Sequence, residues 1–425
     1  MGRLTYTLAQ RVGGVLILAI ALTSATPVRG ANKPSLPPHN GSTIYYVAPW
    51  GNDTNPGTWE APFRTLMRAR YAVAPGDTIY LRGGVYDIEN YMDISGTAEA
   101  PITIASYPGE WAIFDGTGRE DVKFRISGAW LIFKNFEVRH SPQDGVLLTD
   151  GAHDNQLIHI VSHDNTFAGF EIENGAANNL LLNCDAYANF DAATKGEHAD
   201  GFGVKFSVGP GNRLVGCRAW DNADDGFDLW EANASVTLER CWAYSNGFDR
   251  WGVGEDFAGD GNGFKLGPGQ HLVTHCVAWS NARRGFDYND TIDIQTLYNN
   301  TSYNNPVGFK FYGAAHVLRN NLSFMDGDLA LGSEVDDTYN SWNNPPGVTV
   351  TSDDFVSLDD TIARGPRPAN GALPRSNFLH PKPNSSLVDA GIAVGEPWRG
   401  RAPDLGAFEA APPRRRIPPP IHLSP

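Results

Sequence analysis

"CRAWDNADDGFDLW" (residues 217–230) and "CVAWSNARRGFDYN" (residues 276–289) share a cysteine, an asparagine at the sixth place and a Gly-Phe pair beyond it. The same six-residue opening recurs from Ile160, Cys184, Cys217, Cys241, Cys276, Asn300 and Asn321, with successive spacings of 24, 33, 24, 35, 24 and 21 residues. Its asparagine is Asn165, Asn189, Asn222, Asn246, Asn281 and Asn305, and the glycines that follow are Gly169, Gly201, Gly226, Gly263, Gly285 and Gly308. After each glycine the pattern alternates with period two, as a half-buried strand must. Phe170, Phe202, Phe227, Phe264, Phe286 and Phe309 point one way; Glu171, Gly203, Asp228, Lys265, Asp287 and Lys310 point the other. A fixed period of this size, made of short strands, signals a stacked coil. The predicted fold is all-β, a right-handed parallel β-helix, in which equivalent residues lie roughly 4.8 Å apart on neighbouring rungs. The asparagine column is expected to tolerate left-handed backbone and to bond its neighbours above and below.

The ends of such a coil need covers. Upstream, an amphipathic helix around Arg64 to Ala72 is predicted to cap the N-terminal end. Downstream of about Asn343 the period fades, and "NSSLVDAGIAVGEPWRGRAPDLGAFEAA" is expected to pack along the coil. The predicted division is a signal peptide over 1–30, with Arg3, Arg11 and an apolar run from Val12 to Leu22, then a linker over 31–42. One β-helix domain over 43–411 follows, and a Pro/Arg-rich tail over 412–425 reads as disordered. The expectation is an exported, secreted protein with no membrane span, acting as a monomer. A net charge of −15 argues against nucleic acid as a partner. Four cysteines in an exported chain suggest disulfides, but each is one copy of one repeat place, so buried, reduced thiols are predicted.

The irregular spacings locate the function. From each turn asparagine to the next repeat glycine the gaps are 4, 12, 4, 17, 4 and 3 residues. Both long insertions therefore leave one corner of the coil, on the rungs either side of the short Asp224–Asp228 rung. Loops held by a rigid scaffold commonly carry function. Asp200 stacks under Asp225, Asp224 is beside them on the turn, and Asp228 points outward with Lys265 one rung above it. Acidic ladders on solvated strands are ordinary, and Asp287 reads as one. Four carboxylates at one point raise one another's pKa unless a cation offsets them, and a hard oxygen-seeking ion such as Ca²⁺ fits an all-aspartate set.

"EHADGFGVKFSVGPGN", "DNADDGFDLW" and "GNGFKLG" resemble the motifs of the family 9 polysaccharide lyases, which include pectate lyases. The opening "YYVAPWGNDTNPGTWEAPFRTLMRA" with "PGDTIYLRGGVY" is similar to that family's cap and first strand. The resemblance runs from about Thr43 to Phe311. It implies one catalytic Ca²⁺ held by Asp200, Asp224, Asp225 and Asp228, with Lys265 as the base, acting on an acidic polysaccharide such as pectate by β-elimination. Lys205, Arg284 and Lys310 are the nearest cations by repeat position and are candidates, with Trp230, for holding the substrate. His159, His163 and His198 form no metal set and are read as structural. A lyase on another uronate polymer, a β-helix glycoside hydrolase using paired acids, and a non-catalytic carbohydrate-binding surface protein are the competing readings. Hydrolysis has no use for a lysine at that place, and a passive surface has none for the two insertions.

Overall fold

The computed structural model describes residues 42–343 and 348–410. The segments assigned to the signal peptide and the Pro/Arg-rich tail lie outside the described residues, as does nearly all of the linker. Among the described residues, three parallel sheets of twelve, ten and ten strands wind into a coil, each strand pairing with its equivalent one turn away. The pairing keeps the repeat register predicted from the sequence: Phe170 aligns with Phe202, Phe202 with Phe227 and Phe227 with Phe264, while Asp228 aligns with Lys265. This is the all-β parallel helix expected from the repeat.

Each repeat place has a physical reason. The phenylalanines form an unbroken internal stack, with centroids 4.8–4.9 Å apart from Phe170 through Phe309 and rings nearly parallel. Each glycine from Gly169 to Gly285 faces the carbonyl of its equivalent on the next rung. A methyl group on Gly201, Gly226 or Gly263 would meet that oxygen at 2.6, 2.7 or 2.8 Å, so no side chain fits. The turn asparagines are buried and pass a hydrogen bond up the coil. Asn165 Nδ2 donates to Asn189 Oδ1 (3.0 Å), Asn189 to Asn222 (2.8 Å), Asn222 to Asn246 (2.9 Å) and Asn246 to Asn281 (3.0 Å). Buried amides are thereby paired, as a dry interior requires. The four cysteines are free and buried in a single column.

Two expectations are corrected. The left-handed residue at each turn is the one before the asparagine: Asp164, Ala188, Asp221, Ser245, Ser280 and Asn304 have φ of 52–57°. Placing αL there aims the asparagine side chain along the coil axis toward its equivalent on the next rung. The cap helix is a single turn, Leu66–Ala69, with the Thr65 side chain accepting from the Arg68 amide. Phe63, Leu66 and Ala69 close the core at this end, so one turn is enough to cover it.

The C-terminal segment lies along one flank, as expected. Phe355, Phe378, Leu379, Leu387 and Leu405 pack on the outward Trp242, Tyr244, Val277 and Trp279. Arg218 and Arg367 both bind the buried Asp185, one from the coil and one from the segment. No helix among the described residues is long and apolar enough to cross a membrane.

Candidate functional site

The short rung comprises Asn222 to Asp228, and the two insertions meet across its turn. Lys195 of the first pairs with Asp256 of the second at 2.6 Å, the Ala258 amide donates to the Lys195 carbonyl, and Phe190 stacks on Trp251 at 4.6 Å. The loops therefore form one joined wall, and Trp251 is spent in joining them. Beside this wall lies a cleft of about 230 Å³ lined by Lys205, Asp224, Asp228, Trp230, Asp260 and Lys265 among others. Three larger clefts, of about 450, 540 and 340 Å³, lie elsewhere. The first two hold no lysine, and the third has Lys123 beside Asp150 and Glu173, with Asp150 already paired to Arg125.

The strand Phe227–Asp228 places Asp228 outward, and Phe264–Lys265 places Lys265 directly above it. Asp200, Asp224 and Asp225 are buried, and one carboxylate oxygen from each lies within 4.8 Å of the others. The backbone fixes them. Asp200 Oδ1 accepts from the Asp225 amide (3.0 Å), and Asp224 Oδ1 accepts from the Asp260 amide (2.6 Å). Asp225 Oδ1 accepts from the Asn262 amide (2.6 Å) and side chain (2.8 Å). Asp228 Oδ1 accepts from the Trp230 amide (2.9 Å). Two ammonium groups face the cluster. Lys265, whose side chain is 14% exposed, lies 3.1 Å from Asp225 Oδ2 and 3.4 Å from Asp228 and Asp260. Lys205 lies 2.6 Å from Asp200 and 3.5 Å from Asp228.

These charges shape one another. Burial, then the neighbouring Asp225 and Asp200, holds Asp224 well above the usual carboxylate range. Burial likewise raises Asp225 to about 7, against the opposing pull of Lys265. Burial alone would lower Lys265, but Asp225 and Asp228 outweigh it and keep its ammonium charged. Asp260 is paired with Arg283, and the remaining four carboxylates against two lysines leave the cluster short of positive charge. Asp225 Oδ2 is buried without a well-formed hydrogen bond, since Lys265 approaches it only as an ion pair. An all-oxygen donor set with a net deficit of cations and an unsatisfied buried oxygen suits a hard divalent ion such as Ca²⁺.

The structure thus brings Asp200, Asp224 and Asp225 together at ligand distance, while Asp228 joins them through the ammonium groups of Lys205 and Lys265. The other nominated residues divide. Trp230 stands at the rim, 44% exposed, edge-on to Phe206. Lys205 lines the cleft but is buried, with its ammonium tied to Asp200 and Asp228. Arg284 and Lys310 gather higher on the face around Asp287, at 2.5 and 3.6 Å. Sequence reasoning missed Asp260 and Asn262, which come from the second insertion where no repeat place identifies them. It also read His198 as structural, whereas His198 lines the cleft with Glu197, Phe206 and Asn289.

A coil whose one recessed rung gathers buried carboxylates beside a lysine is the frame of a solenoid enzyme. The chain belongs to the Pel9A-like right-handed β-helix family, whose model matches residues 45–321. Pectate lyase L of Dickeya dadantii (strain 3937) is 39% identical over 391 residues, covering 86% of this chain and 90% of that protein. The crystal structure of pectate lyase Pel9A superposes with a TM-score of 0.80 at 37% identity, covering 87% of this chain and 97% of its own. A rhamnogalacturonan lyase structure superposes with a TM-score of 0.71 at 29% identity, covering 80% and 96%.

Proposed function

We propose that this protein is a secreted, Ca²⁺-dependent pectate lyase that cleaves polygalacturonate by β-elimination. It is a polysaccharide lyase, and the observation that carries the finer reading is Lys265 one rung above Asp228, facing a cation-deficient aspartate cluster. Asp200, Asp224, Asp225 and Asp228 would hold the ion, which, when bound, neutralises the C6 carboxylate of a uronate and acidifies its C5 proton. Lys265 removes that proton. The freed electron pair forms the C4–C5 double bond, and the C4–O bond breaks with its oxygen leaving on the adjoining sugar, protonated from solvent. Trp230 offers a face for a sugar ring at the rim. A lysine base must first lose its own proton, so turnover is expected to rise toward alkaline pH. Export rests on the leader-like pattern of Arg3, Arg11 and the apolar run that follows.

The test is polygalacturonate turnover followed by the ultraviolet absorbance of unsaturated product, with and without chelator, for wild type and Lys265→Ala. Absorbance should rise only for wild type with Ca²⁺. Undiminished turnover by Lys265→Ala would refute the assigned base, and reducing ends without absorbance would refute elimination. The likeness to a rhamnogalacturonan lyase makes that polymer the second substrate to assay; turnover of it alone would move the proposal to another uronate chain.

A further inference from the structure

Glu171 stands in the outward column one rung below Gly203 and in register with it. It is 5% exposed, and its Oε1 has no hydrogen-bond partner. Its surroundings explain why an acceptor is kept there. A methyl group on Gly203 would lie 1.9 Å from Glu171 Oε2 and 2.8 Å from Lys205 Cε, so the missing side chain leaves one small space that the carboxylate and the lysine stem share. The Lys205 ammonium, one bond further on, is turned the other way, onto Asp200 Oδ2 at 2.6 Å and Asp228 Oδ2 at 3.5 Å. Those are two of the four carboxylates read above as the cation seat. An ammonium held against them opposes a divalent ion by charge and occupies an oxygen the ion would use.

We infer that Lys205 is an internal stand-in for the cation, neutralising Asp200 and Asp228 in the metal-free protein and turning its ammonium onto Glu171 when the ion enters. Lys205 then has two acceptor sets within reach of one stem position. Glu171 carries the spare oxygen that the second set needs, and Gly203 gives the swing its room. A buried ammonium moved between these acceptors stays paired in both states. The inference rests on the reading of the four aspartates as the Ca²⁺ site.

The test is calorimetric titration of CaCl₂ into chelator-stripped full-length protein for wild type, Glu171→Gln, Lys205→Met and the double variant, each checked for folding by circular dichroism. Glu171→Gln keeps the volume but removes the charged acceptor, so Ca²⁺ affinity should fall on the order of tenfold or more. Lys205→Met should bind at least as tightly as wild type, and in that background Glu171→Gln should change nothing. Equal losses in both backgrounds, or a Glu171→Gln affinity within twofold of wild type, overturn the inference. If Lys205→Met does not fold, crystal structures of the metal-free and CaCl₂-soaked wild type decide, since a Lys205 ammonium still on Asp200 in the soaked form overturns it. Wild type that binds no Ca²⁺ refutes the cation-site reading itself, whereas Ca²⁺ binding indifferent to Glu171 refutes the stand-in alone.

Discussion

Arg367→Ala should release the C-terminal segment without unfolding the coil. The Arg367 guanidinium is buried and makes five hydrogen bonds: two to Asp185 Oδ1 (2.9 and 2.7 Å) and one each to the carbonyls of Cys184 (3.1 Å), Gly216 (2.8 Å) and Gly371 (2.9 Å). Its loss leaves Asp185 held by Arg218 alone, through bonds of 2.9 and 2.7 Å. Removing one partner of a buried ion pair costs about 3–5 kcal/mol, and the surviving Arg218 fork places this case near the lower end, at about 3. Since about 1.4 kcal/mol is a factor of ten, the opened state of residues 348–410 should be populated on the order of 100-fold more. Native-state proteolysis reads that population when opening is fast relative to cleavage. Burial by itself would raise Asp185, but Arg367 and Arg218 outweigh it and hold the carboxyl below the usual range. A depressed folded pKa gives stability that is complete above the unfolded value of about 4 and lost as pH falls through the folded one. The gap between wild type and variant should therefore be constant from about pH 5 to 8 and close below about pH 4. Cleavage within threefold of wild type at neutral pH would refute the reasoning, as would a gap that has already closed at mild acidity. Polysaccharide turnover per folded molecule should be unchanged, because the segment lies on a different sheet from the cleft.

Three further outcomes are expected. Asp326 takes the asparagine place at the end of the ladder, accepting from the Asn305 amide at 2.8 Å, and burial raises it to about 6. With the folded pKa above the unfolded one, this carboxyl costs stability as pH rises through about 6, so Asp326→Asn should gain about 1–3 kcal/mol at pH 8 and almost nothing at pH 4, measured by urea denaturation. Gly226→Ala would bring a methyl to 2.7 Å from the Gly263 carbonyl and 2.9 Å from Ala243 Cβ. It should cost about 3 kcal/mol by the same assay and weaken Ca²⁺ binding with it, because the clash lies between Asp225 and Asp228. Thiol titration of native protein should find none of the four cysteines reactive, and all four should react after denaturation without reductant.

The coil was legible because its interior is periodic. Phenylalanine, glycine and asparagine recur for reasons that repeat on every rung, so Asp228 beneath Lys265 follows from counting alone. What escaped has no period. Asp260 and Asn262 reach the aspartates through a 16-residue excursion, 247–262, whose path depends on tertiary contacts with the other insertion. Lys205 was read as a candidate for holding the substrate because its place in the alternation does not reveal that its ammonium folds back onto Asp200 and Asp228. The left-handed turn residue was displaced by one because its identity varies (Asp, Ala, Ser and Asn all occupy it), while the neighbouring asparagine is selected for its side-chain bond.

The clasp between the two insertions has a consequence for how such a chain diversifies. The acids and the lysine belong to the spool, whose dimensions are set by strand spacing and cannot drift. The Lys195–Asp256 and Phe190–Trp251 contacts sit on loops that leave the spool at one corner and return to it. Lengthening or exchanging those loops as a pair, with the Asp260–Asn262 end that bonds Asp224 and Asp225 retained, would recut the cleft while keeping the acids and the lysine in place. Exchanging only one would leave the clasp without its counterpart. Selectivity in this architecture is thus inherited as a matched couple of loops, separately from the chemistry beneath them.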